Sequence, residues 1–306
     1  MKNQSPSAIE SPGSIGVTYG LLAIMALLWG LMFIAIKLGG RAMPISVYNA
    51  DRFLLGAVVM LAACHRAGRW RRVEWREACE LTGLGFVGHG LTQMAFVSGV
   101  VRTSTASSAL IWGCTPLVVA SISALLGLER LRARQWLGAL VALAGVAAVV
   151  AGRGTGFTGQ TLAGDGLVLL SVLFLAIYVV WSRSLLARLD LWFVTTWMVC
   201  TGAVIMLAWS APQQSLQLYR SLNLRDWGVL FYGTVFALLV PNLIFLKGIQ
   251  DVGRARASFF MNAVPLVGYL AGWLFMGETM GPLQLTGGAV ICVGILVSQL
   301  NTSVKT

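Results

Sequence analysis

Acid is scarce in this chain, and so is charge of any kind. Of 306 residues 11% are charged, with 11 Asp or Glu against 22 Lys or Arg, for a formal net charge of +11. Five cysteines (Cys64, Cys79, Cys114, Cys200, Cys292) are odd in number and never in CxxC spacing. Four lie in or near apolar stretches, which points to packing or lipid contact, not to a disulfide or a metal. With no HExxH and no paired Cys/His cluster, no metal site is expected. GxxxxGK[ST] is missing, which excludes a nucleotide-driven engine within this chain. GxSxG is missing as well. Only Asp51, Glu80 and Asp165 could approach a membrane from helix positions, so a carboxylate-paired active site is hard to build. Neither an enzyme nor a cofactor is expected.

What is abundant is apolar sequence, 57% of the chain. A soluble domain of this size could not cover such a surface with polar groups. Residues 15–36 run 22 positions without a charge, and about 20 residues of helix cross the hydrocarbon core. That run is too long for a removable signal peptide and lacks the cleavage flank. Residues 1–14 are polar and rich in Ser, Pro and Gly, and read as a short disordered tail. Uninterrupted apolar windows fall near 16–38, 45–64, 77–98, 103–127, 135–152, 163–184, 191–210, 226–247, 255–276 and 282–300. Only helices are expected, because an open strand edge in lipid loses its hydrogen bonds and the strict alternation of a barrel is missing. The fold class is therefore all-α and integral to the membrane, with ten transmembrane helices.

Ten spans put both ends on one side, and basic residues choose the side. With the ends inside, the inner loops hold 15 Lys or Arg and the outer loops six, Arg52 lying within the second window. The expectation is a multi-pass protein of a bacterial-type inner membrane with both termini cytoplasmic. The basicity is then topological, so the partners are the lipid bilayer and a small solute, with no nucleic acid.

The second half repeats the first. Shifted by 149 residues, 96–145 lies over 245–294 without a gap, and 12 of the 50 positions are identical. Leu and Val matches carry little weight. Phe96/Phe245, Pro116/Pro265, Glu129/Glu278, Gln135/Gln284, Gly99/Gly248, Gly138/Gly287 and Gly145/Gly294 carry more. The units are 15–153 and 154–306. Five helices per unit is odd, so the second enters the membrane upside down. The turn after window four is basic (Arg130, Arg132, Arg134), whereas its copy, Glu278-Thr279-Met280-Gly281-Pro282, has no basic residue, as opposite orientation requires. Duplicated units of this kind bind cargo at the repeat interface.

Four places then carry a resemblance: Trp29-Gly30-Leu31-Met32-Phe33 closing on Lys37; Arg52-Phe53; Pro116-Leu117 followed by Gly127-Leu128-Glu129; and Pro265-Leu266 followed by Gly277-Glu278. From residue 15 onward the chain resembles the drug/metabolite transporter superfamily, in its EamA-type ten-helix branch. The resemblance implies two inverted five-helix repeats and a transporter of small organic molecules, usually an exporter of amino acids, metabolites or drugs. It also implies a cavity lined by helices 1, 3, 4, 6, 8 and 9, with helices 5 and 10 at the periphery. Leu31 and Met32 stand where many members carry small or polar residues, which disfavours a strongly polar cargo such as a sugar.

Within that frame the residues admit paired readings. Trp29, Phe33 and Lys37 share a helix face. They form either an aromatic wall with an anion site at the outer mouth, or packing plus an interface anchor. His89 and Gln93 are also i, i+4, so His89 is either a proton carrier or a hydrogen-bonded packing residue. Matched Pro116 and Pro265 bend their helices, as static kinks or as hinges beside a site formed with Trp112, Phe259 and Asn262. Tyr178, Trp181 and Asn242 are cavity groups or interhelical glue, and Met32 belongs to the same wall. Asp51 and Arg52, neighbours on a helix, need not pair; Arg52 is expected to snorkel outward or bond the loop between helices 1 and 2. Glu129 and Glu278, in turns before helices, read as caps. Glycines 138, 145, 287 and 294 suit close packing, within the chain or between copies, and leave monomer and homodimer both open. The function expected is secondary transport, with export of small amphipathic metabolites by alternating access. The rivals are a non-transporting membrane protein and a lipid-modifying membrane enzyme.

Overall fold

The computed structural model describes residues 12–128, 133–152, 158–186, 188–252, 260–279 and 281–299. Among these there are helices and no strands. They are α1 (Pro12–Ala42), α2 (Ile45–Arg66), α3 (Trp75–Gly85), α4 (Thr92–Val100), α5 (Thr105–Gly113), α6 (Thr115–Leu125), α7 (Ala133–Ala151), α8 (Gly159–Leu186), α9 (Leu191–Ser210), α10 (Leu216–Ser221), α11 (Leu224–Thr234), α12 (Val240–Val252), α13 (Ala263–Met276) and α14 (Pro282–Gln299). Windows one, two, four, six, seven and eight form six stretches long and apolar enough to cross a membrane; windows five, nine and ten form shorter apolar helices. In the third window α3 and α4 run on through a π turn at Phe86–Leu91. A second π turn, Val235–Leu239, joins α11 to α12. The two turns begin at positions related by the repeat's own shift. Large apolar side chains face outward along the helices, Val58, Leu140, Val204, Phe231 and Leu274 among them. That is the surface a bilayer solvates.

The two halves meet along three antiparallel helix pairs. In α2 and α9, Asn49 donates to Met206 Sδ, and Gly56 lies against Val199. In α5 and α13, Gly113 abuts Pro265, Ala109 meets Gly268, and Thr105 meets Gly272. In α7 and α14, a methyl group on Gly145 would stand 2.7 Å from the Gly287 carbonyl oxygen, and one on Gly294 2.6 Å from that of Gly138. The repeated glycines thus pack within the chain. Rising numbers on one helix meet falling numbers on its partner in all three pairs, as an axis relating inverted halves demands. The first helix of each half crosses over: α1 packs on α12 and α13, and α8 on α4, α5 and α6.

Arg52 does not snorkel. It is fully buried, with Nε donating to the Gly233 carbonyl at 3.0 Å and Nη1 to Asn49 Oδ1 at 3.1 Å. Its guanidinium also lies 5.5 Å from the Tyr48 ring centroid. A cation this far along a spanning helix needs acceptors at once, and α11 supplies the carbonyl, with Asn49 one turn earlier. Asp51 instead accepts from the Tyr219 hydroxyl of α10 at 3.1 Å. Arg52→Leu is expected to cost about 2 kcal/mol, since bonds to a charged donor are each worth about 1.5–3. Arg52→Lys is expected to recover little of this, because one ammonium cannot reproduce the planar fork. Thermal unfolding in nanodiscs checks both.

Candidate functional site

Three groups of side chains lie at the junction of the halves. The first is aromatic. Trp29 of α1 meets Trp112 of α5 at 5.9 Å between centroids and Phe245 of α12 at 5.4 Å. Phe33 meets Phe96 of α4 at 5.6 Å and Trp112 at 6.4 Å, and Phe96 meets Trp112 at 5.8 Å. All five pairs are tilted or edge-on, and ring quadrupoles favour such arrangements over face-to-face stacking. Met32 is buried in the same cluster. Phe96 and Phe245 are repeat mates, so both halves contribute equivalent positions to one cluster. Neither was a site candidate from sequence, although their identity under the 149-residue shift was the available signal.

The second group surrounds His89, which the π turn carries between two rings: Phe53 of α2 at 5.7 Å and Tyr178 of α8 at 5.8 Å. His89 Nδ1 and Gln93 Oε1 are buried without a hydrogen-bond partner. The turn itself has local causes. Thr92 donates its hydroxyl to the Val87 carbonyl at 2.8 Å, and at the matched site Pro241 has no N–H to give. Asn242, the repeat mate of Gln93, donates to the Leu238 carbonyl at 2.6 Å within the second π turn. π turns of this kind recur at functional sites. Trp181 is not part of either group; it is 38% exposed and lies over Gly83.

The third group is charged. Lys37, at the end of α1, donates to Glu278 Oε1 at 2.7 Å. Glu278 also accepts from the backbone amides of Thr105 at 3.0 Å and Ala106 at 3.3 Å. The carboxylate is a cap, as its type suggested, but the helix it caps is α5 of the first half, not the α14 that follows it. Burial works to raise its pKa, while the Lys37 hydrogen bond and the two amides outweigh burial and hold it below the usual carboxylate range. A lowered carboxyl stabilises the fold above its unfolded pKa and loses that contribution as pH falls through the folded value. The contact is therefore intact at neutral pH.

The prolines stand beside these groups. Cys114 separates α5 from α6, with Pro116 in the first turn of α6, and Pro265 is in the first turn of α13 after a 3₁₀ turn at Phe260–Asn262. Phe259 and Glu129 fall outside the described residues, as does the side chain of Asn262.

The chain matches the EamA-like transporter family over residues 16–151 and 162–300. An uncharacterized transporter of Archaeoglobus fulgidus is 25% identical over 278 residues, covering 90% of this chain and 96% of that protein. The uncharacterized transporter YyaM of Bacillus subtilis is 26% identical over 254 residues, covering 81% and 82%. A solved structure described only as a crystal structure of a protein shares the fold, with TM-score 0.65, 22% identity and coverage of 95% and 98%. With two matches that together span nearly the whole chain, and an all-helical body with apolar spans, this multi-pass membrane protein belongs to the EamA-like transporter family.

Proposed function

We propose that this protein is a secondary transporter that exports small amphipathic metabolites, amino acids with apolar or aromatic side chains among them. Alternating access moves them across a bacterial-type inner membrane. The observation that carries the reading is the aromatic cluster of Trp29, Phe33, Phe96, Trp112 and Phe245, placed where the halves meet and supplied by both. The rings pack on one another; four are buried and Phe245 is partly buried. They are the surface that a flat apolar side chain would replace contact for contact. The breaks at Cys114 and before Pro265 abut through Gly113, which suits hinges that part the cluster toward one side. Flux of labelled aromatic amino acids in proteoliposomes tests the reading. A correctly inserted protein that moves no solute supports the non-transporting alternative instead.

Orientation has its own test. With both termini cytoplasmic, a cysteine at Arg134 is labelled from inside and one at Thr279 from outside. Labelling of both from one compartment overturns the inverted arrangement and the carrier reading with it.

A further inference from the structure

The carboxylate of Glu278 rests in a seat that its own repeat does not build. Lys37 lies in the last turns of α1 and Thr105 and Ala106 open α5, all in the first half, while Glu278 follows α13 in the second. The Lys37 and Glu278 side chains are only 16% and 18% exposed. An ammonium and two first-turn amides of a nine-residue helix converge on one spot, so the seat is shaped for a single carboxylate. Beneath it Gly272 leaves the needed space, since a methyl group there would stand 2.9 Å from Glu278 Oε2. Thr105 adds a second, independent sign. The residue is fully buried, and its hydroxyl has no hydrogen-bond partner. An unpaired hydroxyl away from water is costly, and this one belongs to the residue whose backbone amide holds Glu278.

We propose that this seat is the carboxylate-binding site for the exported solute at the outer mouth, and that Glu278 is its internal occupant. The proposal rests on the transport reading and narrows its substrate class to solutes bearing a free carboxylate. A solute carboxylate takes Lys37 and the two amides. Glu278 leaves as the solute arrives and returns when it departs. One anion replaces another, so Lys37 is never left buried without a partner, a state that costs more than either ion pair. Release of Glu278 also frees the turn after α13 from the start of α5, which loosens the seam between the halves on that side.

The test uses the full chain in nanodiscs, with acetate as the probe. Glu278→Ala empties the seat and is expected to lower the unfolding temperature. Acetate is expected to restore about 2–4 °C, saturably, whereas chloride at equal ionic strength does not. The Lys37→Met/Glu278→Ala pair is expected to show no acetate response. A folded Glu278→Ala protein indifferent to acetate, or an equal response in the double variant, overturns the proposal. Should Glu278→Ala not fold, flux decides: the wild type is expected to prefer an amino acid to its amide by about tenfold or more, and Lys37→Met to erase that preference. Acetate rescue without any solute flux leaves an anion seat but removes the transport reading, and with it the assignment of the seat to an exported solute. Flux whose acid-over-amide preference survives Lys37→Met removes the seat alone.

Discussion

Gly145→Val is expected to lower stability by about 3 kcal/mol, the upper end of the range for overpacking. The reason is the identity of the neighbour. Even a first carbon on Gly145 would meet the Gly287 carbonyl oxygen at 2.7 Å and the backbone nitrogen of Ile291 at 2.8 Å. Side chains can rotate away from a clash; backbone cannot, so α7 and α14 must separate along their length. In lipid this contact is not driven by hydrophobicity, since acyl chains solvate a lone helix as well as a neighbour does. It depends on the close approach that small residues allow. Separation therefore forfeits the pairing outright. Leu140→Ala on the same helix is the control, because Leu140 is 63% exposed and its removal is expected to change little. Unfolding of both variants in nanodiscs, read by temperature, checks the contrast. Equal losses would show that α7 does not pack through its glycine face.

Trp112→Ala carries the second large effect, and it reaches function as well as stability. Trp112 makes ring contacts with Trp29, Phe33 and Phe96, and so links α5 to α1 and α4. Truncation leaves a cavity that the surrounding rings fill only in part. A loss of about 3 kcal/mol is expected, at the low end for buried aromatic truncations because the transfer contribution to lipid is small. For a bound aromatic solute the loss of one or two ring contacts, each worth about 0.5–1.5 kcal/mol, amounts to about tenfold in half-saturation. Trp112→Phe is expected to keep most of both. Concentration-dependent flux in proteoliposomes separates the two effects, since a protein that is less stable but correctly inserted keeps its half-saturation. Aromatic amino-acid transport unaltered in Trp112→Ala would remove this wall from the site.

Some of the site was written in local order and some was not. Trp29, Phe33 and Lys37 share a face because helical spacing puts them there, and that much follows from three residues and a period. The cluster's other half was visible only through the repeat, as Phe96 matched by Phe245. The partner of Lys37 could not be read from spacing at all. Glu278 is 241 positions away, and nothing near either residue indicates the other. Arg52 shows the same limit in reverse. A cation in the outer part of a membrane helix ordinarily reaches for the interface, but here Gly233 leaves room against α11 and offers its carbonyl. The π turns were hidden for another reason. A π turn differs from an α turn by one residue of hydrogen-bond register, which an apolar window does not record.

Sequence alone determined that this chain lives in a membrane, that it is helical, that it is built twice, and to which family it is similar. Those properties are sums over many residues or matches between distant ones, and they survive without knowledge of any contact. Tertiary structure decided which carboxylate meets Lys37, which carbonyl takes Arg52, and that the four glycines pair with each other inside one molecule. Each of those depends on how two helices approach within a few ångströms. In lipid that approach is set by shape and hydrogen bonding rather than by apolarity, which is nearly uniform along the chain.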